Sequence, residues 1–294
     1  MAQILNGKIM QNESIDRLKK EVLGFTVKPT LAIIQVGDLQ ESSKYIQHKK
    51  IFAEKIGANV EHLKFNIDVS KEELVEKIHE LNKDDKIHGI ILQLPIPKNL
   101  NEHEIIDAID SSKDVDGLTS TNFKLLATGS SFGFMGATTK GVLDLLDYYK
   151  VSLAGQHVLI IGRSILVGKP TALALLNRDA TVTIAHSKTV NLKELARVCD
   201  ILIVALGQPR FINEEYVRPG QVVVDIGINF EASNSKSDSS DEIQKQTLVG
   251  DVDFEKVKDI VGAITPVPNG IGPMTVASLF ENLITAYKND KKIL

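Results

Sequence analysis

The chain of 294 residues predicts an α/β protein of two domains built on parallel sheets, and three observations lead there. Short apolar runs alternate with amphipathic stretches of helical period in both halves of the chain. Most of these runs are apolar throughout, the pattern of strands covered on both faces rather than of a half-exposed antiparallel sheet. With 43% hydrophobic and 24% charged residues, the chain can bury cores of ordinary domain size.

The elements follow in order. SIDRLKKEVLGF (14–25) is amphipathic, TLAIIQVG (30–37) is a β-rich run ending in glycine, and SSKYIQHKKIFAEKIGA (42–58) is helical. A strand at EHLKFN (61–66), a helix at SKEELVEKIHELN (70–82) and a buried strand at GIILQL (89–94) complete this half. TNFKLLATGSSFGFMG (121–136) is rich in glycine and serine and has no period, so the boundary between domains belongs there. Strand and helix then alternate again: HVLIIG (157–162), GKPTALALLNR (168–178), ATVTIAH (180–186), NLKELARV (191–198), DILIVALG (200–207) and QVVVDIG (221–227). EASNSKSDSSDEIQKQ (231–246) is almost devoid of apolar residues and reads as a polar surface excursion. PMTVASLFENLITAYKND (273–290) is an amphipathic helix with proline in its first turn.

Composition narrows the function. A net charge of −4 with no dense Lys/Arg block leaves no electrostatic footprint for nucleic acid, and no polybasic or amphipathic segment marks a membrane surface. The apolar runs fall far short of the roughly 20 residues that span a bilayer. Cys199 stands alone and the amino-terminal stretch has no signal-peptide core, so a cytoplasmic protein is expected. Seven scattered histidines without a paired motif predict no metal site. Small-molecule chemistry is the remaining expectation.

The turn from Gly162 through Arg163, Ser164 and Gly168 to Lys169 and Pro170 joins a strand to a helix, where glycines admit a phosphate close to the backbone and helix N–H groups attract it. The second half is therefore read as a Rossmann-type domain. The spacing comes near a P-loop, but five residues separate Gly162 from Gly168-Lys169 and Pro170 offers no hydroxyl for a metal. The next strand ends in His186-Ser187-Lys188-Thr189 with no carboxylate to take a ribose 2′-hydroxyl, and Arg163 adds a cation. Both features point to NADP rather than NAD, although Arg163 and Lys188 are also what any solvated surface carries.

In the first half, Ser42, Tyr45 and Lys49 recur at i, i+3 and i+7 on one helix face. A lysine sheltered beside a phenol can lose its proton near neutrality and serve proton transfer, while packing by the tyrosine and snorkelling of the lysine are the commoner origin of this spacing on an amphipathic helix. Short-chain dehydrogenases share the spacing, but there it follows the nucleotide turn instead of preceding it. Gln93 ends a buried strand just before two prolines, where ligands of α/β sheets bind. KDVDG (113–117) places Asp114 and Asp116 in a turn that suits an amino-bearing heterocycle; an Asx turn is the plainer reading of Asp116.

Taken in order, SxxYxxxK, QLPIP, KDVDG, GRSxxVGKP, ATVTIAHSKT, GDVDF (250–254) and TPVPNGIGPMT (265–275) closely resemble the FolD family of bifunctional methylenetetrahydrofolate dehydrogenase/methenyltetrahydrofolate cyclohydrolases, across nearly the whole chain. The resemblance implies a folate domain at 1–136 completed by the helix at 273–294, and an NADP-binding domain at 137–272. It implies that Lys49 transfers protons, that Gln93 and Tyr45 position it and the folate, and that Asp116 holds the pterin. Ser42 and Pro268 would also border the substrate, a tetrahydrofolate derivative. Gly162, Arg163, Ser164, Ser187, Ile228 and Thr275 would contact NADP, and a homodimer through the cofactor domains is implied. The chain departs from the family pattern at Leu118-Thr119 (commonly Phe-His), Ala137-Thr138-Thr139 (Cys-Thr-Pro), Ile165 (a polar residue) and Asn269 (glycine).

Overall fold

The computed structural model describes residues 1–232 and 246–292. Its elements in chain order are β1 (Gln3–Ile4), α1 (Gly7–Leu23), β2 (Thr30–Val36), α2 (Gln40–Ile56), β3 (Asn59–Phe65), α3 (Lys71–Lys83), β4 (Gly89–Gln93), α4 (Glu102–Asp107), α5 (Ser120–Ala127) and α6 (Ala137–Tyr148). Then come β5 (His157–Ile161), α7 (Gly168–Leu176), β6 (Thr181–Ala185), α8 (Leu192–Val198), β7 (Ile201–Val204), β8 (Val222–Asp225), β9 (Asn229–Ala232), β10 (Gln246–Val249), α9 (Phe254–Val257), β11 (Ala263–Ile264) and α10 (Ile271–Lys291).

The chain divides into two compact units, Gln11–Gly141 with Thr275–Leu294, and Met1–Met10 with Val142–Met274. In the first, β3, β2 and β4 form a three-stranded parallel sheet in that order. Ala32, Ile34 and Val36 pack on one face against Leu74 and Ile78 of α3 and Ile105 and Ile106 of α4. Toward α2, Phe52 stacks on Phe280 of α10 with ring centroids 5.0 Å apart, which docks the last helix in this unit.

The second unit holds a six-stranded parallel sheet in the order β1-β11-β8-β7-β5-β6. The sequence reading assigns residues 1–10 to the folate half, but β1 adds to the edge of this sheet through Gln3↔Ala263 and Ile4↔Ile264 and draws those residues into the second unit. A two-residue strand has too little periodicity to be read in advance. Strand order reverses between β5 and β7, so the crevice beyond their carboxyl ends is the place for a ligand.

Two sequence expectations need correction. The stretch 121–136 is not aperiodic throughout, because α5 runs from Ser120 to Ala127, capped by the Thr119 hydroxyl accepting from the Asn122 N–H. The polar segment 231–246 begins and ends in strands: β9 and β10 pair antiparallel from Asn229↔Val249 to Ala232↔Gln246. Its remainder, 233–245, lies outside the described residues.

Candidate active site

In the three-stranded unit, the helical period of α2 puts Ser42, Ile46 and Ala53 into the core and leaves Tyr45 and Lys49 at the border of that buried stripe. The helix is tied to the sheet on both sides of Tyr45. Gln35 of β2 donates to Ser43 Oγ (3.2 Å) and its Oε1 lies 2.9 Å from His62 Nε2, while Lys50 Nζ lies 3.1 Å from His62 Nδ1. Burial, and then the nearby Lys50 and Lys64, lower the His62 pKa. A neutral imidazole that accepts from Lys50 and donates to Gln35 satisfies the whole chain of contacts.

Lys49 Nζ donates to Gln93 Oε1 at 2.8 Å. The other end of that amide, Nε2, donates to the Leu94 carbonyl at 2.8 Å, so the oxygen is the end presented to the lysine. Among the described residues Lys49 makes this bond to Gln93 and none to the Tyr45 hydroxyl, so the phenol–lysine pairing suggested by their spacing is replaced by a strand-end amide. Burial lowers the Lys49 pKa and Asp116 partly offsets it; burial raises that of Asp116 and Lys49 partly offsets it in turn. The Tyr45 phenol is pushed up to about 12 by burial and by Glu41, so it stays protonated as a donor and a ring surface. The Ser42 hydroxyl is buried without a hydrogen-bond partner among the described residues.

The two aspartates of KDVDG separate in role. Asp114 is buried and accepts from the N–H groups of Leu118 (3.1 Å) and Thr119 (2.8 Å) and from Asn122 Nδ2 (2.9 Å). It holds the turn and has no free face for a heterocycle, whereas Asp116 is the one that shares its field with Lys49. The turn-holding role considered for Asp116 thus falls to Asp114, which bonds the backbone four and five residues on. Leu118 and Thr119 are accommodated, since Thr119 caps α5.

In the six-stranded unit the carboxyl ends of the strands are in register. Gly162 N–H bonds to Ala185 O, Ala205 N–H to Ile161 O and Ile226 N–H to Val204 O, so the loops after β5, β6, β7 and β8 leave the sheet at one edge. Gly162 has φ 135°, and a Cβ there would lie 2.3 Å from the Ala205 carbonyl oxygen; one at Gly168 would lie 2.2 Å from the Gly162 carbonyl oxygen. Only glycines allow this close joint of strand, helix and neighbouring strand.

The start of α7 differs from the sequence expectation of free N–H groups. Ser164 Oγ accepts from the N–H of Val167 (3.1 Å) and Gly168 (3.3 Å), the Ser164 carbonyl accepts from Lys169 (3.0 Å), and Pro170 has no N–H. Arg163 and Ser164 themselves are exposed. After β6, His186–Thr189 closes a turn through Thr189 Oγ1 and leaves Ser187 and Lys188 exposed.

The loops after β7 and β8 are held by a buried aspartate pair, Asp225 and Asp251, which the sequence shows only toward the end of the strand QVVVDIG and as part of GDVDF. Asp251 accepts from the N–H of Gly207 (3.0 Å) and Gln208 (2.8 Å) and from Asn229 Nδ2 (2.9 Å). Asp225 accepts from Gly227 (2.9 Å), Asp251 (3.1 Å) and Val252 (2.9 Å), and burial together with Asp251 raises its pKa to about 7. Ile228 sits between these anchored positions. Thr275 and Pro268 do not share a unit with the other residues of their expected sets. Thr275 lies in α10 within the three-stranded unit, bonded to Thr138 Oγ1 at 3.3 Å, and Pro268 follows β11 in the six-stranded unit. Asn269 adopts φ 82°, a left-handed conformation that asparagine tolerates better than most side chains, which accounts for its standing in place of glycine.

A nucleotide-type turn at a switch point, with a separate half-buried lysine–amide–carboxylate group, defines a dinucleotide-binding α/β enzyme. Models of the tetrahydrofolate dehydrogenase/cyclohydrolase match the chain twice, the catalytic domain over residues 5–116 and the NAD(P)-binding domain over 136–291. A Bifunctional protein FolD from Lactobacillus gasseri is 43% identical over 287 residues, covering 97% of each chain. The crystal structure of the bifunctional enzyme FolD from Campylobacter jejuni superposes with TM-score 0.91 at 38% identity, over 98% of this chain and 99% of that one. The Trypanosoma brucei enzyme, complexed with NADP cofactor and inhibitor, gives TM-score 0.92 at 30% identity over 99% of each chain. The chain belongs to the tetrahydrofolate dehydrogenase/cyclohydrolase family.

Proposed function

We propose that the protein oxidises 5,10-methylenetetrahydrofolate to the 5,10-methenyl form with NADP, and then hydrolyses that product to 10-formyltetrahydrofolate. The observation that carries this reading is the Lys49–Gln93 hydrogen bond beside Asp116, inside the region matched by the family's catalytic domain. Folate handling is assigned to residues 1–136 with the final helix and cofactor handling to 137–272, the amino-terminal strand excepted.

The methenyl carbon is already electrophilic, so hydrolysis needs a positioned water and somewhere for its protons to go. A neutral Lys49 amine, favoured by burial, takes a proton as water adds. Because the product carries its formyl group on N10, the bond from carbon to N5 must break: the Lys49 ammonium can return its proton to N5, and the remaining hydroxyl proton leaves to solvent as the formyl C=O forms. Gln93 fixes Nζ through the whole cycle, since a lysine donates to the amide oxygen in either protonation state. Tyr45 offers its ring and its hydroxyl proton to the folate, and Asp116 accepts from the pterin N–H groups.

The turn fits a dinucleotide phosphate, as the glycine joint leaves no room for a Cβ and no carboxylate follows β6. NADP supplies the hydride acceptor when bound. Gly162, Arg163, Ser164, Ser187 and Ile228 would hold it. Ser164 Oγ already accepts two N–H groups, which polarises its hydroxyl for donation to a phosphate oxygen.

We place the protein in the cytoplasm as a homodimer formed through its cofactor units. Edge strand β6 exposes Ile184, helices α7 and α8 expose Leu176 and Val198, and the loop after β6 exposes Val190, an apolar set suited to a second copy. No helix among the described residues is long and apolar enough to cross a membrane. A coupled assay on methylenetetrahydrofolate, following NADPH absorbance and methenyl decay separately, tests the assignment. Both signals are expected, and Lys49→Ala should abolish the methenyl decay with folding intact; wild-type decay in that variant overturns the role of Lys49.

A further inference from the structure

The turn bearing Asp116 does not stand alone. Gly117 has φ 66°, and a Cβ there would meet Gly136 N at 2.6 Å and the Phe134 carbonyl oxygen at 2.7 Å, so segments 111–117 and 134–137 touch backbone to backbone. The Ala137 N–H donates to the Asp116 carbonyl at 3.2 Å. Two asparagines bridge these segments. Asn282 of α10, 5% exposed, donates through Nδ2 to Val115 O at 2.9 Å and to Met135 O at 3.0 Å, one carbonyl from each segment. Asn122 of α5, 1% exposed, donates to Asp114 Oδ2 at 2.9 Å and Ser111 O at 3.0 Å and accepts from Phe134 N–H at 3.1 Å.

One primary amide nitrogen carries two diverging N–H bonds, so a single uncharged side chain can satisfy two buried carbonyls from one point. The Val115 carbonyl belongs to the peptide that leads directly into Asp116. Its position, and that of the Asp116 Cα, therefore follow the Asn282 side chain. We propose that Asn282 is a positioning residue for Asp116, acting with Asn122 as a two-asparagine clamp that sets where the pterin-facing carboxylate stands. This rests on the reading that Asp116 contacts the folate. The final helix thereby contributes to substrate recognition without touching substrate.

The test uses the full chain. Asn282→Leu keeps the volume and removes both donors; the KM for methylenetetrahydrofolate should rise about tenfold while the KM for NADP stays within about twofold. In an Asp116→Ala background the same substitution should leave the folate KM unmoved, because the two changes act through one group. A lower unfolding midpoint with an unchanged folate KM, or an equal rise in KM with and without Asp116, overturns the clamp. Should Asn282→Leu fail to fold, Asn282→Ser retains a single short donor and is expected to raise the folate KM as well, a wild-type KM again refuting the proposal. Asp116→Ala alone tests the underlying reading: a wild-type folate KM in that variant removes the role of Asp116, whereas an impaired one with a normal Asn282→Leu defeats the clamp alone.

Discussion

Lys49 shows how much one residue depends on its surroundings. An exposed lysine at pH 7 is an ammonium and a poor base; burial of Lys49 lowers its pKa, and Asp116 is the charge that works the other way. If the neutral amine takes the proton from water, the cyclohydrolase rate should climb with pH and level off below the ordinary lysine range. Removing the Asp116 charge takes away the attraction that raises the lysine pKa, so Asp116→Asn should move that ascending limb to lower pH as well as weaken folate binding. A limb that stays in place or moves to higher pH in the pH–rate profile contradicts the coupling. At this scale the sequence marks Tyr45, Lys49 and Gln93 by spacing and by the prolines after the strand. It does not reveal Asn122, Asn282, Gln35 or His62. An asparagine or a histidine looks the same in any helix or strand, and the carbonyls and amides that these side chains serve are brought to them only by the fold.

At the scale of elements, long periodic segments were readable and short ones were not. The α2 helix and strands β2, β5 and β7 declare themselves by apolar period, and the chain from β5 into α7 by its glycines. The short α5 helix, in contrast, depends on the Thr119 cap and on the tertiary bonds of Asn122, none of which periodicity reports. The start of α7 carries a lesson about anion sites: a serine at the cap can consume the very N–H groups that make a helix terminus attractive, which moves the burden to side chains. Discrimination of the 2′-phosphate should therefore rest on the cations and hydroxyls of the turns after β5 and β6. Arg163→Ala is expected to raise the KM for NADP about tenfold and to change that for NAD far less. An equal loss for both cofactors in steady-state kinetics would show that the arginine serves the shared part of the dinucleotide.

At the scale of the whole molecule, the exposed apolar set about β6 makes a prediction of its own. Ile184→Lys places a charge on an edge strand, the usual means of blocking association, and light scattering should show the mass of the proposed dimer falling to that of a monomer. A variant that keeps the wild-type mass places the contact elsewhere. The amino-acid order by itself determined the α/β class, the two sheets of parallel strands, the nucleotide turn and the family, because these rest on local period and on residues close together in the chain. Tertiary structure alone decided that residues 1–10 join the six-stranded sheet, that Asp114 holds its turn while Asp116 shares the field of Lys49, and that a helix near residue 282 secures a turn near residue 116. Such matters turn on which buried donor finds which buried acceptor, and that pairing is set by packing across long stretches of chain rather than by any local pattern.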